Sequence, residues 1–186
     1  MKESIFLEKR KAKREIYRGR SVIFRDDEVI LPDGKTARRE FMEHPGAVAV
    51  LALDESGKII FVRQYRYPVG EETLEIPAGK LNSKKDSPLL RAREELREET
   101  GFSARSLTHL LDFWPTPAFS DEILRIYLAR GLTPGKNSPD EDEFINWTAL
   151  PIEKALSLVK KGRIKDSKTV IALYHYCLFI AEKEKI

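Results

Sequence analysis

Cysteine is almost absent from this chain of 186 residues: Cys177 stands alone, so no disulfide can form within it. The opening stretch MKESIFLEKRKAKRE lacks the apolar core of a secretory signal. Together the two absences are read as a reducing, cytoplasmic setting. Long hydrophobic runs are missing too. The best apolar stretch, Val170 to Ala181, is interrupted by His175 and falls below the roughly 18 to 20 residues that cross a bilayer. It reads as a buried C-terminal helix, and no membrane partner is expected. Charge of one sign is not in excess either. Lys and Arg number 33 against 30 Asp and Glu, a net of +3, which leaves no large monopole to grip nucleic acid. The three histidines, His44, His109 and His175, are scattered without the spacing of a zinc site. No internal repeat or low-complexity tract occurs.

What is present suffices for one sizeable core, with 41% hydrophobic and 9% aromatic residues. Between Ile16 and Phe41 short apolar runs alternate with turn chemistry at Asp26-Asp27 and Pro32-Asp33-Gly34, which suggests a small antiparallel sheet. Such a sheet is a poor independent folder. After His44-Pro45-Gly46 the texture changes to AVAVLAL, a turn at Asp54-Glu55-Ser56-Gly57, and KIIFVRQYR, a strong hairpin signature. TLEIPAG and EILRIYLAR read as further strands with a helix between them, and PIEKALSLVKKG and the C-terminal segment as two more helices. Strands and helices interleave without a βαβ repeat, so the expected class is α+β, a mixed sheet sandwiched between helices. The boundary falls near residue 46, giving an N-terminal β region over 1–46 and a main domain over 47–186.

Within that domain the segment REELREETGF crowds Glu94, Glu95, Glu98 and Glu99 together. Asp86 or Ser87 can cap a helix with Pro88 in its first turn, and Gly101 suits the left-handed position beyond its end. At about 100° per residue Leu89, Ala92 and Leu96 form a narrow apolar stripe, while Glu95, Glu98 and Glu99 converge on an adjoining face. Converging carboxylates disfavour joint ionisation or recruit cations, and hard divalent ions suit oxygen donors. A solvated helix face, with Arg91 and Arg97 offsetting the acids, is the bland alternative.

Residues Gly79 to Phe102 resemble the signature box of the Nudix hydrolases: Glu95, Leu96, Glu98, Glu99, Gly101 and Phe102 fall on its Glu, apolar, Glu-Glu, Gly and apolar positions. Two departures stand out. One extra residue lies between Gly79 and Glu95, so the early Glu position falls on Lys85 or Asp86. Glu94 occupies the position of an arginine that normally orients the metal-binding acids. Arg91 precedes Glu95 by one turn and projects within about 40° of it, so it is the expected displaced substitute, with Arg97, which projects toward the other side, the weaker candidate. The succession RQYRYP, LEIPAGKL, WPTPAFSDE and KGRIKDSKTVIAL is similar to ADP-ribose pyrophosphatases, with Pro117 on the subgroup's characteristic proline.

The resemblance implies a Nudix-type fold whose small N-terminal sheet mediates a homodimer. It implies Mg²⁺-dependent (or Mn²⁺-dependent) hydrolysis of the pyrophosphate of ADP-ribose, or of a related nucleoside diphosphate sugar, to AMP and ribose 5-phosphate. The metal ligands would be Glu95, Glu98, Glu99 and the backbone carbonyl of Ala78, with Glu98 also part of the catalytic machinery. The base is expected on NSPDEDEF, Glu143 first and Glu141 second; its alternative is a solvated acidic loop. Arg66 and Arg39 are candidates for gripping substrate phosphates, since bidentate contacts favour Arg. A nucleotide-binding sensor without turnover and a GDP-mannose-type hydrolase are the alternative functions.

Overall fold

The computed structural model describes residues 4–20, 22–138 and 144–181. The chain divides into two compact units, residues 1–46 with 116–122, and 47–115 with 123–186.

The first unit is built on an antiparallel sheet. β3 (Ile23–Ile30) pairs along one edge with β4 (Thr36–Glu43), and along the other with β1 (Lys9–Ala12) and β2 (Glu15–Arg18) in succession. Lys35 and Gly34 form the turn between β3 and β4, with Gly34 at φ 84. The turn at Thr116–Ser120, which contains Pro117, joins this unit through a bridge between Met42 and Ser120. Asp121 accepts the His44 backbone N–H at 2.7 Å. Ile16, Tyr17 and Phe24 remain exposed on this sheet.

The second unit centres on β5 (Ala47–Leu53), where all seven residues are buried. Such a run is stable only with both faces covered. Ala47, Ala49, Leu51 and Leu53 face a core completed by α2 (Ile152–Lys160) and α3 (Ser167–Tyr176). Val48, Val50 and Ala52 face a second core with Ala92 and Leu96 of α1 (Pro88–Thr100). The sheet runs β11 (Asn146–Leu150), β6 (Ile59–Arg66), β5, β10 (Leu124–Thr133), β9 (Ser103–Phe113), with β7 (Glu71–Glu75) on β6 and β8 (Ala78–Lys80) on β5. Since β5 and β10 are parallel and the other pairs antiparallel, the sheet is mixed and lies between helices.

Three details differ from the sequence reading. TLEIPAG is two strands, because Ile76-Pro77 carries the chain from β6 across to β5. β9 and β11 are additional strands whose polar residues stay exposed, so neither shows an apolar run. Burial in the C-terminal segment stops at Tyr176: Leu178 and Phe179 are exposed in a turn of π-helix, Cys177–Ala181. No helix among the described residues is long and apolar enough to cross a membrane.

Candidate active site

α1 starts where the sequence places it. Ser87 caps it, accepting the Leu90 N–H at 3.4 Å, Pro88 occupies the first turn, and Gly101 closes it at φ 79. The buried face is not the stripe through Leu89, which is 38% exposed; it runs through Ala92, Glu95, Leu96, Glu99 and Thr100. Two of the acids therefore lie on the packed side of the helix. Burial of a carboxylate is tolerable only with donors or cations at hand, and both are supplied.

The donor is the backbone of β8. Ala78 N–H points at Glu99 Oε2, 3.1 Å away. Next to it, Gly79 has no side chain for a reason that is geometric: a Cβ there would stand 1.4 Å from Glu95 Oε1. The glycine thus forms a cradle into which the Glu95 carboxylate fits.

The cation is Arg91. Its Nη2 is 2.5 Å from Glu95 Oε1, and its Nη1 is 3.2 Å from Glu98 Oε2 and 3.4 Å from Glu94 Oε2. The guanidinium engages the acids end-on, leaving its buried Nε without a hydrogen-bond partner among the described residues. Burial lowers the Arg91 pKa, but the charges of Glu95 and Glu98 and the hydrogen bond to Glu94 outweigh it, so the guanidinium is held more firmly charged than usual. Among the described residues no three acidic, histidine or cysteine side chains are arranged to enclose a metal ion as they stand. Arg91 stands among the acids instead, as like charges in a cluster require.

The NUDIX domain model matches residues 42–173. The chain belongs to the Nudix family of hydrolases. It is 44% identical over 183 residues to a methanol dehydrogenase activator of Bacillus methanolicus, covering 97% of this chain and 98% of that one. It is 43% identical over 170 residues to an ADP-ribose pyrophosphatase of Bacillus subtilis (strain 168), covering 90% and 91%. A solved structure described as the crystal structure of ADP compounds hydrolase superposes with a TM-score of 0.84, at 20% identity and full coverage of both chains; at that identity it speaks for the fold alone.

In this Nudix hydrolase the remaining candidates fall in different places. Arg66 ends β6 and forms a side-on pair with the buried Glu75, Nε to Oε1 at 2.8 Å and Nη2 to Oε2 at 2.7 Å. Glu75 raises the Arg66 pKa, and Glu99 adds a smaller contribution. Arg39 lies in the other unit, on β4, where Glu8 holds it through both oxygens and Nη1 donates to the Arg38 carbonyl at 2.9 Å. Glu141 and Glu143 lie outside the described residues. In the described residues before them, Ser138 N–H donates to the Glu98 carbonyl at 3.0 Å, at the C-terminal turn of α1.

Sequence reasoning left Glu75, Lys168 and Asp166 unassigned, although EIPAG and KDSKT both drew attention. Glu75 is 2% exposed and accepts from Arg66, Lys168 and Thr73 Oγ1, the last at 2.6 Å. Burial pushes its carboxyl up, yet Arg66 and Lys168 together hold it down at about 2. The signal that could have found it is a charged residue set between Leu74 and Ile76, both buried, where a carboxylate must meet a counter-charge.

Proposed function

We propose that this Nudix pyrophosphatase hydrolyses the pyrophosphate of ADP-ribose, or of a closely related nucleoside diphosphate sugar, to AMP and ribose 5-phosphate. The observation behind this reading is the 43% identity over 170 residues with an ADP-ribose pyrophosphatase. The reaction takes place in solution in the cytoplasm.

The donor set fits a hard divalent cation, Mg²⁺ first and Mn²⁺ second. Ala78, Glu95, Glu98 and Glu99 offer only oxygens, and Gly79 keeps the Glu95 carboxylate against β8. A divalent cation held there supplies charge neutralisation at the pyrophosphate and makes a water easier to ionise. Arg91 orients Glu95 and Glu98 in the role that the box arginine has elsewhere, which offsets the presence of Glu94 at that position. Glu143, with Glu141 as second choice, accepts the proton of the attacking water. Ser138, five positions before Glu143 in sequence, donates to the Glu98 carbonyl. Arg66 binds a phosphate of the bound pyrophosphate, and Arg39 serves the site of a second copy, the homodimer forming through the sheet of the first unit.

The test is product analysis of the purified protein with Mg²⁺ and ADP-ribose, GDP-mannose, NADH and diadenosine polyphosphates. AMP and ribose 5-phosphate from ADP-ribose at the highest kcat/KM is the expected result. Preferred cleavage of GDP-mannose would move the substrate, and tight ADP-ribose binding without product would make the chain a sensor.

A second reading rests on the 44% identity with a methanol dehydrogenase activator along almost both full lengths: the chain stimulates an alcohol dehydrogenase. A rise in dehydrogenase rate on adding this protein to a methanol dehydrogenase assay supports it.

A further inference from the structure

Every acceptor position on Glu75 is filled. Oε1 accepts from Arg66 Nε at 2.8 Å and Thr73 Oγ1 at 2.6 Å; Oε2 accepts from Arg66 Nη2 at 2.7 Å and from Lys168 Nζ. The strand register explains how they meet. Arg66 pairs with Glu71, Gln64 with Thr73 and Val62 with Glu75, so Arg66, Thr73 and Glu75 share one face of the β6–β7 pair. Lys168 arrives from the first turn of α3, where it is buried and also donates to Asp166 Oδ1 at 2.9 Å. Asp166 in turn caps α3, accepting from the Thr169 N–H at 3.0 Å and its hydroxyl at 2.6 Å, and Thr169 Oγ1 accepts the Ile76 N–H at 2.9 Å. One connected set of bonds therefore runs from the α3 cap to the end of β7.

The consequence lies in the geometry of a guanidinium. Its five N–H bonds form a planar fork. Glu75 takes the side-on pair, Nε–H and one Nη2–H, which leaves the end-on pair, one hydrogen each from Nη1 and Nη2, for another partner. Arg66, Lys165 and Lys168 line a cleft of about 540 Å³ together with Glu71, Glu75 and Asp166. The end-on pair matches two oxygens of one phosphate.

We propose that Glu75 and Lys168 are positioning residues that fix Arg66 in the one orientation presenting its end-on pair to a phosphoryl group in this cleft. Lys168 keeps the Glu75 carboxylate from rotating, and Glu75 keeps Arg66 from collapsing onto other acids such as Glu71. This rests on the pyrophosphatase reading for the identity of the ligand, but not on turnover.

The experiment is a double-mutant cycle read by binding. Inorganic pyrophosphate is titrated calorimetrically in Mg²⁺ buffer into the wild type, Arg66→Ala, Glu75→Gln and the double variant, and KM and kcat for ADP-ribose are measured on each. Glu75→Gln is expected to weaken pyrophosphate binding on the order of tenfold, with KM rising more than kcat falls, and to add nothing once Arg66 is already alanine. Lys168→Met should follow Glu75→Gln at a smaller amplitude. Because loss of a buried charge can unfold the protein, Thr73→Val and Arg66→Lys complete the set. The first removes one of four bonds to Glu75; the second keeps the charge but cannot serve both partners, and each should weaken binding. The proposal falls if Glu75→Gln weakens binding equally with and without Arg66, if a folded Glu75→Gln binds as the wild type does, or if the wild type binds no pyrophosphate. Coupling of Arg66 and Glu75 in a protein that cleaves no nucleoside diphosphate sugar would remove the proposed function and leave this inference standing.

Discussion

Arg91 is the residue through which the proposed metal site can be tested most directly. An arginine directly before Glu95 is replaced by Glu94, and a guanidinium one turn earlier bridges Glu95 and Glu98. Arg91→Ala should therefore lower Mg²⁺ affinity by about 10- to 100-fold, the usual range for groups that orient metal ligands, with kcat falling alongside. Titration calorimetry checks the first and steady-state kinetics the second. Adding Glu94→Arg to that variant should restore part of both. Unchanged affinity in Arg91→Ala would leave the bridge structural only. Gly79 makes the complementary prediction from the other side. A Cβ on Gly79 would overlap the end of the Glu95 side chain, and since that end can swing, Gly79→Ala should displace the carboxylate from its cradle. Mg²⁺ affinity and turnover are expected to drop together by orders of magnitude, with circular dichroism showing the helices intact.

At the scale of elements, the end of α1 is the junction where the helix, its glycine and the segment 135–138 meet. Gly101 has φ 79, and a Cβ there would lie 2.6 Å from the Gly135 carbonyl oxygen and 2.9 Å from Asn137 N. The left-handed conformation alone costs a side chain roughly 1–2 kcal/mol. The contacts with backbone, which cannot rotate away, add to this. Gly101→Ala should therefore destabilise the domain by more than about 2 kcal/mol in urea denaturation, and it should also lower kcat by displacing Ser138 from the Glu98 carbonyl. A ΔΔG within experimental error would mean that the segment at Gly135–Ser138 yields easily.

Two predictions concern the molecule as a whole. The Glu75 carboxyl is held at about 2 against an ordinary 4.5. A depressed folded pKa stabilises the native state above the unfolded value, and that stability is lost as pH falls from about 4.5 to about 2. The difference corresponds to roughly 3 kcal/mol. Urea midpoints measured from pH 6 down to pH 2 should decline through this window, and Glu75→Gln should start lower and decline less. The second prediction is assembly. Ile16 is 54%, Tyr17 60% and Phe24 47% exposed on the sheet of the first unit, and apolar side chains gathered on a small sheet suit contact with a second copy. Light scattering at micromolar concentration should return a dimer mass; a monomer would remove Arg39 from any shared site.

Local chemistry was sufficient to read much of this chain. AVAVLAL and KIIFVRQYR read as paired strands, Asp86 or Ser87 with Pro88 and Gly101 bracketed a helix by capping rules alone, and one helical turn between Arg91 and Glu95 put the two within reach of each other. Each of these rests on spacing along the chain, which sequence records directly. β9 and β11 were hidden because edge positions leave their side chains polar, and pairing rather than pattern makes them strands. The burial of Glu95 and Glu99 was hidden as well: the helix period shows which residues share a face, but only β8, with Gly79 at the point of closest approach, decides that this face turns inward. Glu75 and Lys168 are separated by 93 positions. Their meeting depends on how α3 returns across the sheet, and two charges that far apart leave no periodic trace in the sequence to announce that each is the other's counter-ion.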